Sequence, residues 1–263
     1  MQNQKKCHQN VWILSGTADG PILAERLIEL DYVVFISVVS HKACNAYPLN
    51  SKLHIFTGKL NNKKEIINFI LKHQIHFIVD ATHPFAINIS KNLISACSNI
   101  SIPFFRFERI AQYKSNVEII SNFADINHEL IKNKNILLAI GSRALNEVAR
   151  FYFDLGANIF ARILATPNSI SNGFSSCINN SQLAILNPSY SKRNNLETYL
   201  CKYWRIDYIV CRDSGGYSQI IWDEICLRSN IKLYLLRRPE IQTNALIFSR
   251  YDDLIKKIVQ FEK

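Results

Sequence analysis

The sequence predicts an α/β protein of two Rossmann-like domains, each a mainly parallel sheet flanked by helices. Three observations carry that expectation. Short apolar runs of strand type alternate with segments of helical periodicity along all 263 residues. Strand–helix–strand units of this kind close by right-handed crossovers, which align successive strands in parallel. Polar clusters and scarce glycines recur where an apolar run gives way to a helical pattern, the edge at which open α/β sheets bind ligands.

Residues 11–14 (Val-Trp-Ile-Leu) predict the first strand. Leu23, Leu27 and Leu30 fall on one stripe of a helix over 21–30. Residues 32–39 are rich in Val, Ile and Phe, which suit a pleated, half-buried surface. A short strand is expected at 54–56. Ile66, Ile67, Ile70 and Leu71 give core spacing to a helix over 63–73. A buried strand at 76–79, a helix at 87–97 and a strand at 102–107 complete the first half. The rhythm restarts with an extended segment at 116–120 and a helix at 124–132. An apolar strand at 136–140 ends at Gly141, and a helix at 145–153 follows. Further strands are expected at 159–164, 183–186, 208–211 and 232–236, with helices near 191–202, 217–228 and 249–261. Residues 167–182 are the least regular part, read as a poorly formed helix or a mobile loop. The polar stretch 108–115 interrupts the rhythm, so the domains are placed at 1–112 and 113–263.

Hydrophobic residues make up 48% of the chain and charged ones 20%, which excludes general disorder. No apolar run reaches the roughly 20 residues of a membrane span. The first ten residues are polar and lead into no apolar signal core, so a soluble, cytoplasmic protein without a membrane partner is expected. The seven cysteines include no CxxC pair and lie mostly in apolar periodic segments, so reduced, buried thiols and no metal site are expected. The net charge of +10 attracts anions. The cations are scattered rather than gathered into a basic tract, which argues against a nucleic-acid partner.

Only eight glycines occur, and five of them (Gly16, Gly20, Gly141, Gly215 and Gly216) fall in three loops of ligand-binding position. Ser15-Gly16-Thr17-Ala18-Asp19-Gly20 joins the first strand to the first helix, where helix N–H groups meet a dinucleotide pyrophosphate. After the second strand, Ser37-Val38-Val39-Ser40-His41-Lys42 carries hydroxyl and cationic groups and no acid. An acid there serves the ribose of NAD, so Ser40 and Lys42 favour NADPH over NADH. Asp80-Ala81-Thr82-His83-Pro84-Phe85-Ala86 lies between a buried strand and a helix. Asp80 is placed to orient His83 or bind a ribose hydroxyl, and Thr82 to donate to phosphate or to a nicotinamide amide. A helix cap accounts for one of these polar residues but not for the whole cluster. Arg106 and Glu108 alternate with aromatic residues, so they share one strand face; that spacing also suits an internal salt bridge.

In the second half, four apolar strands each end in arginine: Gly141-Ser142-Arg143, then Arg162, then Arg212-Asp213-Ser214-Gly215-Gly216, then Arg237-Arg238-Pro239. At one sheet edge these guanidinium groups form a rim suited to carboxylates, which arginine binds in bidentate fashion.

The motifs 15–19, 80–86, 103–109 and 212–216 together resemble the precorrin-6A reductase family, whose members reduce a tetrapyrrole ring on the route to cobalamin. The resemblance spans nearly the whole chain. It implies an NADPH-dependent reduction of a C=C bond in precorrin-6A or cobalt-precorrin-6A, in a cleft between the domains. It implies cofactor contacts from Ser15, Gly16, Thr17, Asp19, Ser40, Lys42, Asp80, Ala81, Thr82 and His83. It makes Arg106, Arg143, Arg162, Arg212, Ser214, Gly215 and Arg237 the substrate contacts, and His83 and Asp213 the candidate catalytic groups. The partner is then a polycarboxylate tetrapyrrole, bound by a monomer or weak homodimer. Ser15 and Asp19 stand where the family typically has Gly and Glu, and Arg212 where it has Lys. The segment 186–191 lacks the family's glycine. A reductase of another polyanionic substrate, and a catalytically silent tetrapyrrole- or nucleotide-binding relative, are the rival readings.

Overall fold

The computed structural model describes residues 9–60, 62–114, 116–187, 196–240 and 245–261. The first half runs β1 (Asn10–Ser15), α1 (Asp19–Glu29), β2 (Val33–Val38), α2 (His41–Cys44), β3 (Leu53–Thr57), α3 (Lys63–Lys72), β4 (Ile75–Ala81), α4 (Ile87–Ile100) and β5 (Phe104–Phe107). The second runs β6 (Val117–Ile120), α5 (His128–Ile131), β7 (Asn135–Ala139), α6 (Leu145–Asp154), β8 (Asn158–Ile163), α7 (Pro167–Phe174), β9 (Leu183–Ile185), α8 (Leu196–Tyr203), β10 (Tyr208–Arg212), α9 (Tyr217–Ser229) and β11 (Lys232–Leu236). A final strand and helix follow, β12 (Leu246–Phe248) and α10 (Tyr251–Gln260).

Each sheet has six parallel strands, in the orders β12-β5-β4-β1-β2-β3 and β6-β11-β10-β7-β8-β9. Both orders are doubly wound. The chain leaves the central strand to one side, then crosses back to build the other side. Strands covered on both faces need continuous apolar runs rather than alternation. Val11, Trp12, Ile13 and Leu14 of β1 are accordingly all buried. The helices follow the predicted stripes in part: Leu23 and Leu27 of α1, and Ile66 and Ile70 of α3, enter the core, whereas Leu30 and Leu71 are exposed.

Two expectations are resolved by the structure. Of the two readings of 167–182, its first half takes the helical one, as α7. Thr166 caps it by accepting from the Ser169 N–H, and Pro167 occupies its first turn. The domain assignment of 113–263 is also revised. The chain divides into one unit of residues up to Ile110 together with those from Pro239 onward, and another of Ala111–Arg238. β12 adds to the first sheet beside β5, pairing Leu246 with Phe105 and Phe248 with Phe107. Leu254 and Ile258 of α10 sit fully buried in the same cluster as Leu23 and Leu27. Apolar periodicity reports that a strand and a helix exist, not which sheet receives them. β12, three residues long and half-exposed, left too little pattern to be read at all.

Candidate active site

In the first unit the winding reverses between β1 and β4, which are direct neighbours. Ligands of doubly wound sheets bind at that point, beyond the carboxyl ends of the strands. The two loops there touch: a Cβ added to Gly16 would lie 3.4 Å from the His83 nitrogen and 3.7 Å from Thr82 Cα. Gly16 and Ala18 are exposed, and α1 begins with no side-chain cap. Gly20 is required by packing, because a Cβ there would overlap Ser15 Oγ and the Tyr47 hydroxyl.

Asp19, expected to contact a cofactor, instead faces inward and is only 4% exposed. Its Oδ1 accepts from Arg109 Nε at 2.7 Å and from the Tyr251 hydroxyl at 2.6 Å. Its Oδ2 accepts from Thr17 Oγ1 at 2.7 Å, and Thr17 Oγ1 also reaches the Ala81 carbonyl at 3.2 Å. Thr17 therefore ties the first loop to the end of β4.

The cluster after β4 is built around Asp80. Register places Leu14, Asp80 and Arg106 in one row across β1, β4 and β5, so their side chains share a face. Asp80 Oδ1 accepts from the Thr82 N–H at 3.0 Å and the Thr82 hydroxyl at 2.7 Å. Oδ2 accepts from Ser90 Oγ and from Arg106 Nη1, both at 2.6 Å. Arg106 Nε donates to Glu108 at 2.5 Å. Asp80 and Arg106 are both completely buried. A buried side chain cannot touch a ligand, so the expectations of Asp80 as a cofactor contact and Arg106 as a substrate contact are corrected. The pair holds the loop that carries Thr82 and His83. Ala81 is likewise buried and meets the site through its carbonyl. His83 is partly buried, and its Nδ1 accepts from the Phe85 N–H at 3.2 Å. That bond puts the proton of the neutral ring on Nε2. Ser40 and Lys42 are exposed at the end of β2, next in the sheet to β1, while His41 Nε2 lies 3.4 Å from Thr57 Oγ1.

The second unit repeats the arrangement with β7 and β10 as the neighbours at its reversal point. Gly141 has φ +81°, and Arg212 Nη1 lies 3.4 Å from where its Cβ would be. Glycine thus lets the guanidinium lie against the backbone. Burial lowers the Arg212 pKa, and the like charge of Arg143 adds to the effect. The four arginine-bearing ends belong to adjacent strands, β11, β10, β7 and β8, as the rim requires. Their side chains divide, however. Arg143 and Arg237 are exposed and Arg212 is partly buried. Arg162 is 8% exposed, with Glu197 at 3.9 Å, and burial lowers its pKa. Arg238 holds Asp213, donating from Nε to its carbonyl at 2.8 Å and lying 3.3 Å from its carboxylate. Tyr113 faces the same carboxylate; burial first, then Asp213, pushes its pKa up to about 12. The N–H groups of Ser214 and Gly215 both donate to Gln219 Oε1 at 2.6 Å, and that of Gly216 to Ser214 Oγ at 3.3 Å. The N–H groups of 214–216 are thus committed within the loop. Asn187 accepts from the Ala165 N–H, while residues 188–191 of the expected substrate loop lie outside the described residues.

Tyr251, Ser90, Glu197 and Gln219 escaped the sequence reading, and none belongs to a local motif. Arg109 lies in the 103–109 motif, but its partner could not be read from it: Arg109 and Tyr251 meet Asp19 across 90 and 232 positions of chain. Among the described residues no helix is long and apolar enough to cross a membrane, and no group of three metal-ligating side chains occurs.

A family model described as Precorrin-6x reductase CbiJ/CobK matches residues 10–259. A cobalt-precorrin-6A reductase of Synechocystis sp. is 28% identical over 236 residues, covering 88% of each chain. One of Methanocaldococcus jannaschii is 27% identical over 261 residues, covering 96% of this chain and 99% of its own. A solved structure, CobK precorrin-6A reductase, matches with a TM-score of 0.77 at 16% identity over 96% of both chains, a likeness of fold.

Proposed function

The chain belongs to the precorrin-6x reductase family, and from that premise we propose that it reduces a C=C bond of precorrin-6A or cobalt-precorrin-6A with NADPH. The observation that carries this reading is the winding reversal of the first sheet, which brings the loops 15–20 and 80–86 into contact. That is where a dinucleotide binds a doubly wound sheet. The residues present suit one. Exposed Gly16 and Ala18 stand at the uncapped N-terminus of an 11-residue helix, a favourable place for pyrophosphate. Ser40 and Lys42, with no acid beside them, suit a ribose 2′-phosphate.

The loops 15–20 and 80–86 would hold the cofactor, which would supply a hydride to a ring carbon of a conjugated C=C–C=N system, with a proton added at the adjacent carbon. The protein supplies orientation and electrostatics. Asp80, fixed by Arg106 and Ser90, sets the Thr82 hydroxyl and the Thr82 backbone N–H. His83, with its Nε2 proton, acts as a positioning donor. Arg143, Arg212 and Arg237 take substrate carboxylate arms, while Asp213, tied to Arg238, anchors the rim.

Titration with NADPH and NADH tests the cofactor half. NADPH is expected to bind at least tenfold tighter, about 1.4 kcal/mol; equal affinities would refute the assignment of Ser40 and Lys42. Anaerobic turnover of cobalt-precorrin-6A, followed by the change in its absorption spectrum, tests the substrate half.

A further inference from the structure

We propose that Tyr251 is a positioning residue for the cofactor loop: with Arg109 it clamps Asp19, and through Asp19 and Thr17 it holds residues 16–18 in the shape that receives a dinucleotide pyrophosphate. The inference rests on the reading of the first unit as the cofactor-binding half.

Asp19 sits in the first turn of α1, beside the backbone that meets the pyrophosphate. An unmatched carboxylate there would repel that dianion, and a buried one would be costly. The fold answers with two donors on one oxygen, Arg109 Nε at 2.7 Å and the Tyr251 hydroxyl at 2.6 Å. Arg109 matches the charge. Tyr251 adds a neutral donor that fixes where the oxygen lies. Burial first, then Asp19, pushes the Tyr251 pKa up to about 12, so the hydroxyl keeps its proton near neutrality. The other carboxylate oxygen is thereby free to receive Thr17 Oγ1 at 2.7 Å, and Thr17 lies inside the loop.

Tyr251 is itself rigidly placed. Its ring stacks on Phe107 at 4.7 Å with planes 12° apart. One turn farther along the same helix, Leu254 is fully buried in the first core. The strand and helix that join the first unit from the far end of the chain thus reach its cofactor loop through one hydroxyl.

The test is Tyr251→Phe, which keeps the ring and its stacking and removes the hydroxyl. The dissociation constant for NADPH is expected to rise about tenfold, equivalent to about 1.4 kcal/mol. The kcat at saturating NADPH and the KM for the corrin substrate should stay near native, since the hydroxyl touches neither. Amide hydrogen exchange over 16–20 should quicken. Arg26→Ala is the control. It removes a contact to the same ring and the ion pair to Asp252, without reaching Asp19, and should leave NADPH affinity unchanged. Native affinity in Tyr251→Phe would overturn the proposal. So would an equal loss in Arg26→Ala, which would trace the effect to helix packing. If the unaltered protein binds neither NADPH nor NADH, the cofactor reading falls first, and this one with it.

Discussion

Asp19 and Asp80 are both acids at the carboxyl edge of the first sheet, and both turn inward. Each is matched by an arginine, Arg109 or Arg106, and each holds a threonine that faces the loops, Thr17 or Thr82. Their role is to shape backbone that other groups use. For the Asp80–Arg106 pair this has a measurable consequence. Removing Arg106 leaves the buried Asp80 carboxylate uncompensated, at a cost of about 3–5 kcal/mol, whereas removing Asp80 leaves Arg106 still paired with Glu108. Arg106→Met should therefore lower the urea midpoint strongly, and Asp80→Asn somewhat less. The double variant should lose clearly less than the sum, because the Asp80–Arg106 interaction is lost in both single variants. Additive losses, or a single loss under about 1 kcal/mol, would show that the pair does not hold this loop together.

At the scale of elements, the notable event is the return of β12 and α10 to the first sheet. β12 takes the place beside β5 that, in the second sheet, β6 takes beside β11. Burial of Leu254 and Ile258 carries much of this docking. Leu254→Ala should cost about 2–5 kcal/mol, by lost transfer energy and the cavity left behind. The loss should appear in probes of the first unit, such as Trp12 fluorescence, although Leu254 lies near the other end of the sequence. A change below about 1 kcal/mol would mean the helix is loosely docked. The same elements mark the limit of what the sequence could tell. Strands 11–14, 76–79, 136–140 and 232–236 were legible because a parallel strand buried on both faces must be uniformly apolar. The loops 15–20 and 80–86 stood out because glycine and polar residues at strand ends have few other reasons to occur together, and the structure brings the two into contact. Helix α7 could not be told from a loop because its signal is a cap, Thr166-Pro167, rather than a stripe; only Gly173 within it is buried. Strand exchange was illegible because pairing partners depend on topology, which periodicity does not encode. Asp80 and Arg106 misled because a polar residue at a strand end reads alike whether it faces a ligand or a buried partner.

Across the whole molecule, one sheet design serves two chemistries. Both units reverse their winding between a central strand and its neighbour, and both place a glycine after the central strand. The first unit leaves backbone exposed there, at Gly16 and Ala18, as an anion-binding helix terminus needs. The second commits the backbone of its 214–216 loop to Gln219 and Ser214, and offers guanidinium groups instead. Pyrophosphate suits the first, and spread-out carboxylate arms suit the second. The net charge of +10 adds a long-range pull on a polyanion. The arginines should then separate by burial. Arg212→Gln should raise the KM for the corrin substrate about tenfold or more, and leave NADPH affinity alone. Substrate affinity should also fall as salt rises, since the Debye length shrinks to about 8 Å at physiological ionic strength. Arg162→Gln should behave differently. Arg162 and Glu197 are both buried, so the variant strands a carboxylate and should lower stability more than it alters KM. Isothermal titration with each ligand and urea unfolding of both variants would check the division. A stable Arg162→Gln protein with a raised substrate KM would place Arg162 on the substrate after all, and an Arg212→Gln protein that loses NADPH instead would move the rim to the other ligand.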